Sequence, residues 1–273
     1  MKRLVLWLLS FCLLTGCAAP AASPALEEPV ELVVFAAASL TESLTEIAEA
    51  YKTVAPNVTL VFNFDSSGTL KTQIESGAAC DLFLSAAPKQ MNQLDASKPT
   101  DVNPGGLDFV LQGTRTDLLE NKVALVVPEG NPKGVGSFGD LVEKLKNEEL
   151  LLAVGNADVP VGQYTQKIFA YYGIDEADIA SKLTYGSNVK EVTAQVSEGA
   201  ADCGIVYATD AFSAGLTIVD TATKDLCGQV IYPAAVLNTT EHESEAKAFL
   251  AYLESDEAGA IFLRVGFTPL HAQ

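Results

Sequence analysis

The chain has 273 residues, of which 48% are hydrophobic and 19% are charged, and its formal net charge is −18. This length allows one large or two modest globular domains with a substantial core, and the composition excludes an intrinsically disordered chain. The strongly acidic balance argues against nucleic acid as a partner and against electrostatic adsorption to an anionic lipid surface.

Residues 1–16 are predicted to form a signal peptide. The basic pair Lys2-Arg3 precedes an apolar segment, Leu4–Leu14, which is too short to cross a membrane. The sequence LTGC, which ends at Cys17, resembles a bacterial lipobox, in which cleavage precedes the cysteine and the cysteine is then lipidated. The alternative is an ordinary signal peptide in which Cys17 has no role.

Residues 17–29 are rich in alanine, proline and serine, and this composition predicts a flexible, lipid-anchored linker. We therefore expect the mature protein to be held at the cell membrane, on its extracytoplasmic face, by lipid on Cys17.

The first predicted strand runs directly into a helix. Leu32–Phe35 is a short apolar run, and apolar residues then recur at helical spacing from Leu40 onward. Ser39 precedes that helix and, with Glu42 three residues later, matches a capping box. A helix N-terminus carries unpaired N–H groups and the positive end of the helix dipole, so it can bind an anion. An ordinary N-cap is the simpler alternative.

Further β-rich runs alternate with segments of helical spacing along the rest of the chain. The predicted strands are Val58–Phe64, Cys80–Ser85, Lys122–Pro128, Leu150–Gly155, Asp202–Tyr207 and Gln229–Leu237. Strands that alternate with helices form βαβ units and parallel sheets. We predict two α/β lobes: residues 30–121 begin the first lobe, residues 122–232 form the second, and residues 233–273 return to the first.

Four predicted strand-to-helix turns share one character, which is that none contains Lys, Arg or His. They are Ala38-Ser39, Ser66-Ser67-Gly68, Pro160-Val161-Gly162 and Asn188-Val189. In a common cleft these turns would offer backbone N–H groups and hydroxyls, and Tyr207 at a strand end would add a phenolic O–H. Donors without acceptors favour a fully ionised tetrahedral dianion, such as molybdate or sulfate, over protonated phosphate. The carboxylate of Asp65 would oppose this interpretation unless it belongs to a solvated turn residue.

Enzymatic alternatives find little support in the sequence. His242 and His271 are the only histidines, and both are expected to be exposed. There is no G-x-S-x-G motif, and Ser66–Lys71 lacks the spaced glycines of a phosphate loop. We therefore predict no catalytic residues and no cofactor.

Three cysteines follow the predicted linker: Cys80, Cys203 and Cys227. An odd number leaves at least one free thiol, and pairing of Cys203 with Cys227 stays open. Small apolar core thiols are the expectation.

Six motifs, taken in order along the chain, resemble one family. They are FAAASL at Phe35–Leu40, SSGTL at Ser66–Leu70, DLFLSA at Asp81–Ala86, DVPVGQY at Asp158–Tyr164, GIVYATDA at Gly204–Ala211 and GFTPL at Gly266–Leu270. Together they resemble the molybdate/tungstate-binding proteins of ABC importers, over about residues 30 to 270. The resemblance implies a two-lobe class II periplasmic-binding-protein fold of the α/β class. In this fold each lobe is a mixed, mostly parallel sheet flanked by helices, and the ligand lies in the interlobe cleft.

The resemblance also implies the residues that bind the oxyanion. They are two serines, two residues that donate backbone N–H groups, and a tyrosine, which fall on Ser39, Ser67, Val161, Val189 and Tyr207. Ser66 is an additional candidate. These residues would contact molybdenum or tungsten only through the oxygen atoms of the anion. Asp65 departs from the family, which usually has a small residue at that position.

By the same resemblance, the protein captures molybdate or tungstate, performs no chemistry on it, and delivers it to the permease of an ABC importer. A monomer is expected. Two alternatives stay open, namely a receptor for another tetrahedral oxyanion, such as sulfate, and an enzyme built on the same fold.

Overall fold

A computed structural model describes residues 28–147 and 150–271 of the protein. The predicted signal peptide, Cys17 and all but the end of the linker lie outside the described residues. Within the described part of the chain, no helix is both long enough and apolar enough to cross a membrane.

The first lobe begins with the strand and helix that the N-terminal pattern predicts. Strand β1 (Val30–Ala37) ends in a 3-10 turn (Ala38–Leu40), and helix α1 (Thr41–Tyr51) follows. Leu44 and Ile47 of α1 are fully buried, because their spacing places them on one face of the helix. The elements that complete this part of the lobe are β2 (Val58–Asp65), α2 (Ser67–Glu75), β3 (Leu82–Leu84), α3 (Pro88–Gln93) and β4 (Thr116–Asn121).

The second lobe begins at β5 (Val123–Val127), whose five residues are all buried, as its unbroken apolar sequence predicts. Proline stands at the first position of α5, where its missing N–H costs no helical hydrogen bond. The elements of this lobe after β5 are α4 (Phe138–Asn147), β6 (Leu152–Gly155), α5 (Pro160–Tyr171), a 3-10 helix (Glu176–Lys182), β7 (Leu183–Gly186), α6 (Val189–Ser197), β8 (Cys203–Tyr207), α7 (Ala208–Ala214), β9 (Thr217–Thr221) and α8 (Lys224–Cys227).

The chain then returns to the first lobe. The returning elements are β10 (Val230–Val236), α9 (Glu243–Leu253), α10 (Asp256–Arg264) and the short β11 (Thr268–Pro269). Because β10 pairs with β3 and β4 along its whole length, residues 230–232 belong to the first lobe. The predicted boundary after residue 232 falls within this strand, which is continuous through Pro233.

Each lobe contains one mixed sheet. The strand order is β11-β4-β10-β3-β1-β2 in the first lobe and β7-β6-β8-β5-β9 in the second. Parallel pairing is confined to β1 with β2 and β3, and to β6 with β7 and β8. The other five described pairings are antiparallel, so both sheets are mixed, as predicted, although parallel pairings are not in the majority. Strands β5 and β10 follow the crossings between lobes, so they enter their sheets at the cleft edge and run antiparallel to their neighbours, which end there.

The three described cysteines, Cys80, Cys203 and Cys227, are buried and free, so the Cys203–Cys227 disulfide that the sequence left open does not form. Burial raises the pKa of the Cys80 and Cys203 thiols to about 12. These thiols therefore remain protonated and act as small apolar side chains of the core.

Candidate functional site

The carboxyl ends of the parallel strands in the first lobe place two candidate serines side by side. The register of β1 on β2 pairs Ala37 with Asp65, so the 3-10 turn with Ser39 lies beside the start of α2 with Ser67. Strand β3 ends next to β1, and the backbone N–H of Ala86 just beyond it donates a 2.9 Å hydrogen bond to Oγ of Ser67.

The second lobe repeats this arrangement at one edge of its own sheet. Because β6 lies parallel between β7 and β8, the helix starts at Val161 and Val189 and the strand end at Tyr207 share that edge. No side chain caps the N-terminus of α5, whereas Asn188 caps α6 by accepting a hydrogen bond from the N–H of Glu191. The Val161 and Val189 amides lie in the first turn, where N–H groups have no intrahelical partner.

The two edges meet across the cleft. The ring of Tyr207 packs edge-on against Tyr232 of the first lobe, with 5.6 Å between ring centroids. The Tyr207 hydroxyl lies 3.5 Å from the carbonyl oxygen of Ala86. At the same boundary Gly68 of α2 lies so close to Asp158 that an added Cβ would stand 2.3 Å from the Asp158 carbonyl oxygen. The structure therefore brings the five predicted ligand residues to facing edges of a closed interlobe cleft.

Ser39 does not form the predicted capping box with Glu42. It lies inside the 3-10 turn, α1 begins two residues later at Thr41, and no side chain caps α1. The Ser39 hydroxyl instead lies 2.9 Å from the hydroxyl of Tyr232, and it is almost fully buried. The 3-10 turn gives Ser39 a helical backbone, whereas an N-cap residue needs an extended one.

A chain of hydrogen bonds gives the Ser39 hydroxyl a direction. Nδ2 of Asn121 donates to the Tyr232 hydroxyl over 3.2 Å, and Oδ1 of Asn121 accepts from the Lys122 N–H, which fixes the orientation of the amide. When Tyr232 accepts from Asn121 and donates to Ser39, the Ser39 proton is left to point elsewhere. The same amide donates to Oγ1 of Thr209 in the second lobe, so Asn121 contacts both lobes.

The two serines at the start of α2 have different roles. Oγ of Ser66 caps α2 by accepting from the Thr69 N–H over 3.1 Å, while Oγ of Ser67 accepts from Ala86. An oxygen that accepts in this way keeps its own proton for a second partner, and both serines are buried. The Asp65 carboxylate is held by the N–H of Ser66 at 2.7 Å, so it is a half-buried strand-end residue rather than a solvated turn residue.

Two buried tyrosines supply neutral O–H donors. Burial, and then the proximity of Tyr232, raises the pKa of Tyr207 well above its usual value. Burial, and then the charge of Asp210, likewise raises the pKa of Tyr232. Both phenols therefore remain protonated at physiological pH.

Sequence reasoning missed four residues of this region: Tyr232, Asn121, Lys190 and Asp210. Tyr232 stands before Pro233 in a strand that the sequence assigned to the domain boundary, and Asn121 ends β4, which pairs with that strand in the sheet. Asn121 and Tyr232 are polar residues that stand at the two predicted lobe boundaries, after residues 121 and 232, and this position was the available signal for a cleft. Lys190 and Asp210 follow Val189 and Tyr207, but nothing in the sequence indicates that they meet.

Asp210 is a buried carboxylate beside the site. Nζ of Lys190 lies 3.2 Å from its Oδ1, as an ion pair, yet neither carboxylate oxygen accepts a hydrogen bond from any described residue. Burial raises the pKa of Asp210 to about 7, although Lys190 opposes the shift. Burial prevails because the carboxylate is fully removed from water, and the single ammonium group of Lys190 compensates for only part of its desolvation.

A cavity of about 380 Å³ lies beside Cys80, Asp81 and His242. It lies at the amino end of β3, the opposite edge of the sheet from Ser39 and Ser67, and contains none of the predicted ligand residues. It is therefore not the predicted site.

A family model described as bacterial extracellular solute-binding protein matches residues 32–268. The protein YvgL of Bacillus subtilis (strain 168), whose name describes an ABC transporter substrate-binding lipoprotein, is 35% identical over 263 residues, which are 96% of this chain and 95% of YvgL. The molybdate-binding protein ModA of Escherichia coli (strain K12) is 35% identical over 253 residues, which are 90% of this chain and 92% of ModA.

Among solved structures, the periplasmic molybdate-binding protein of Azotobacter vinelandii superposes with a TM-score of 0.73 at 22% identity. The superposition covers 87% of this chain and 98% of that one. At this level of identity the likeness concerns the fold.

We expect Asp210→Asn to change how stability depends on pH. The folded-state pKa of Asp210, about 7, lies above the ordinary aspartate pKa of 3.8. Between about pH 4 and pH 7 the folded state therefore holds a proton that the unfolded state has lost. The stability that this proton contributes is present below that window and is lost as the pH rises through it. Between pH 5 and pH 7, the wild-type free energy of unfolding should fall by about 2 kcal/mol relative to the variant, which carries no titratable group there.

Urea unfolding of both proteins at pH 5, 6 and 7 measures this difference. An identical pH dependence of the two proteins would contradict a raised pKa at Asp210.

Proposed function

Because the chain belongs to the family of bacterial extracellular solute-binding proteins, we propose that it captures molybdate or tungstate and delivers the anion to the permease of an ABC importer. The predicted two-lobe fold of that family is confirmed. The observation that supports the proposal is the contact between the two lobes along the edges that carry the predicted serines, helix starts and Tyr207.

The proposed ligands are all neutral hydrogen-bond donors. In a cleft closed to water, such donors bind a fully ionised dianion strongly, because charge-assisted hydrogen bonds exceed neutral ones. The starts of α2, α5 and α6 add the positive ends of helix dipoles. Ser39, Ser67 and Tyr207 would donate hydroxyl protons, Val161 and Val189 would donate backbone N–H groups, and Ser66 serves α2 as a cap.

The cation adjacent to Val189 in the chain has other partners. Lys190 follows Val189, but its ammonium group lies between Glu42 and Asp210 and has both as ion-pair partners. Recognition in this proposal therefore depends on hydrogen-bond direction and on the size of the tetrahedral anion.

The location and the partner follow from the family and from the N-terminal sequence. A receptor of an ABC importer works outside the cytoplasmic membrane, and the LTGC sequence would hold it there through lipid on Cys17. Such a receptor binds its anion, closes, and docks as a monomer on the permease. No step in this cycle alters the ligand, so no catalytic group is required.

An oxyanion panel tests the proposed ligand. Molybdate and tungstate should raise the melting temperature of the purified protein and give a calorimetric titration with one site, because they stabilise the closed form. Sulfate and phosphate, added at the same concentrations, should have little effect. A larger response to sulfate would establish the alternative oxyanion receptor, and no response to molybdate or tungstate would end the proposal.

We expect Tyr232→Phe to weaken molybdate binding about fivefold, the equivalent of one ordinary hydrogen bond. The substitution keeps the ring against Tyr207 but removes the hydroxyl that directs the Ser39 proton toward the ligand. Ser39→Ala should weaken binding more, by about tenfold or above, because it removes a bond to a charged group.

Tyr252→Phe is the matched control, since this buried tyrosine packs against Tyr51 at the far end of α1. Calorimetric dissociation constants of the three variants for molybdate show whether the Tyr232 and Ser39 hydroxyls contribute to binding. If Tyr232→Phe binds molybdate as tightly as Tyr252→Phe does, the Tyr232 hydroxyl does not direct the Ser39 proton toward the ligand.

Gly68→Ala should prevent full closure of the cleft. Its new Cβ would stand 2.3 Å from the carbonyl oxygen of Asp158 in the other lobe, a distance that only movement of the lobes can relieve. We expect at least a tenfold loss of molybdate affinity with no loss of stability, because alanine favours a helix by about 1 kcal/mol over glycine. Gly139→Ala in α4, where the nearest atom would be 3.7 Å away, is the control. Wild-type affinity in Gly68→Ala would show that this contact does not limit closure.

A further inference from the structure

We propose that Glu42, Lys190 and Asp210 form an interlobe clasp, in which the Lys190 ammonium group holds the two lobes closed over the ligand. The inference deepens the proposed function and rests on it for its ligand. It identifies Lys190 and Glu42 as positioning residues, which act on the anion through closure rather than by contact.

The clasp spans the cleft. Nζ of Lys190, in α6 of the second lobe, donates to both carboxylate oxygens of Glu42, in α1 of the first lobe, at 2.6 and 2.8 Å. The same Nζ lies 3.2 Å from Oδ1 of Asp210, in α7 of the second lobe. One ammonium group thus joins a carboxylate of its own lobe to a carboxylate of the other.

Each member of the clasp lies within three residues, along the chain, of a proposed ligand residue. Glu42 lies three residues after Ser39, Lys190 directly follows Val189, and Asp210 lies three residues after Tyr207. Three of the five proposed ligand residues therefore change position with the clasp when the lobes open.

The arrangement prepares Lys190 for closure. Asp210 is fully buried and belongs to the same lobe, so it can hold the ammonium group near the cleft edge before the lobes meet. The side chains of Lys190 and Glu42 keep only 31% and 43% of their exposure, so water screens their pair less than a fully exposed one. Closing then costs little additional side-chain entropy, since one partner is already held.

The direction in which anion affinity changes when Glu42 is removed distinguishes the clasp from simple charge repulsion between Glu42 and the anion. A carboxylate one helical turn from Ser39 repels a dianion, so if Glu42 acted only through its charge, its removal would tighten binding. If Glu42 closes the clasp, its removal weakens binding. The two explanations predict opposite changes in affinity.

Glu42→Gln is the test and Glu46→Gln is the control. Glu46 lies one turn further along α1 and pairs with Arg264, which is in the same lobe. The two substitutions remove the same charge from the same helix, but only Glu42 reaches across the cleft.

The measurements are molybdate affinity by calorimetry and the dissociation rate by stopped flow. Glu42→Gln should raise the dissociation constant about fivefold, mainly through faster dissociation, as expected for a partly exposed ion pair. Glu46→Gln should leave both quantities at their wild-type values. In a Lys190→Met/Asp210→Asn background, adding Glu42→Gln should no longer weaken binding, because the carboxylate has no partner across the cleft.

Small-angle X-ray scattering of the ligand-free proteins supplies a readout that does not need molybdate. A larger radius of gyration for Glu42→Gln than for Glu46→Gln supports the clasp, and equal values count against it.

The outcomes for the clasp and for the proposed function are distinct. If the wild type binds molybdate and Glu42→Gln binds equally or more tightly, the clasp is overturned and the proposed function stands. If the wild type binds neither molybdate nor tungstate, the proposed function falls, and the scattering comparison alone decides the clasp.

Discussion

The proposed function places one constraint on the structure, which is that an acidic protein would have to hold a dianion with neutral donors. Hydroxyl and amide groups compete poorly with water for an anion at an exposed surface, and they become effective only where water is excluded. The proposed site therefore requires closure, and closure requires two lobes whose donor-bearing edges face each other. Parallel strands meet this requirement, because β1, β2 and β3 in one lobe and β6, β7 and β8 in the other end at a single edge.

The charged groups around the cleft follow from the same constraint. A cation in direct contact with the anion would add attraction, but here the cation beside the site, Lys190, lies between Glu42 and Asp210. Its charge thus acts between the lobes. The buried carboxylate of Asp210 would repel a dianion, and both the ion pair with Lys190 and a pKa raised by burial to about 7 reduce that repulsion.

The hydrogen-bond network connects the proposed site to the crossings between lobes. Asn121 ends the last strand of the first lobe before the chain enters the second, and its amide contacts Tyr232 and Thr209 at once. Tyr232 transmits that orientation to Ser39 and also packs against Tyr207. Each buried group in this series has a partner, so the donors are directed before any anion arrives, which lowers the cost of ordering them on binding.

The sequence by itself determined the fold class, the strands β1, β2, β3, β5, β6, β8 and β10, and the starts of α5 and α6, but it did not predict β4, β7, β9 or β11. Those features depend on local apolar periodicity and on Pro160 and Asn188, which act over a few residues. The motif resemblance indicated the ligand class and the five candidate residues, which the structure brings to one cleft. The sequence did not reveal the backbone of the 3-10 turn, so it assigned Ser39 and Glu42 to a capping box that does not form.

Only the tertiary structure decided which distant residues meet. Ser39 and Tyr232 lie 193 positions apart in the chain, and Glu42 and Lys190 lie 148 apart. Their contacts arise from strand order and from the way the lobes close, and neither leaves a periodic signal in the sequence. The direction of the Ser39 proton, the role of Lys190 between two carboxylates and the membership of residues 230–232 in the first lobe all depend on such long-range packing.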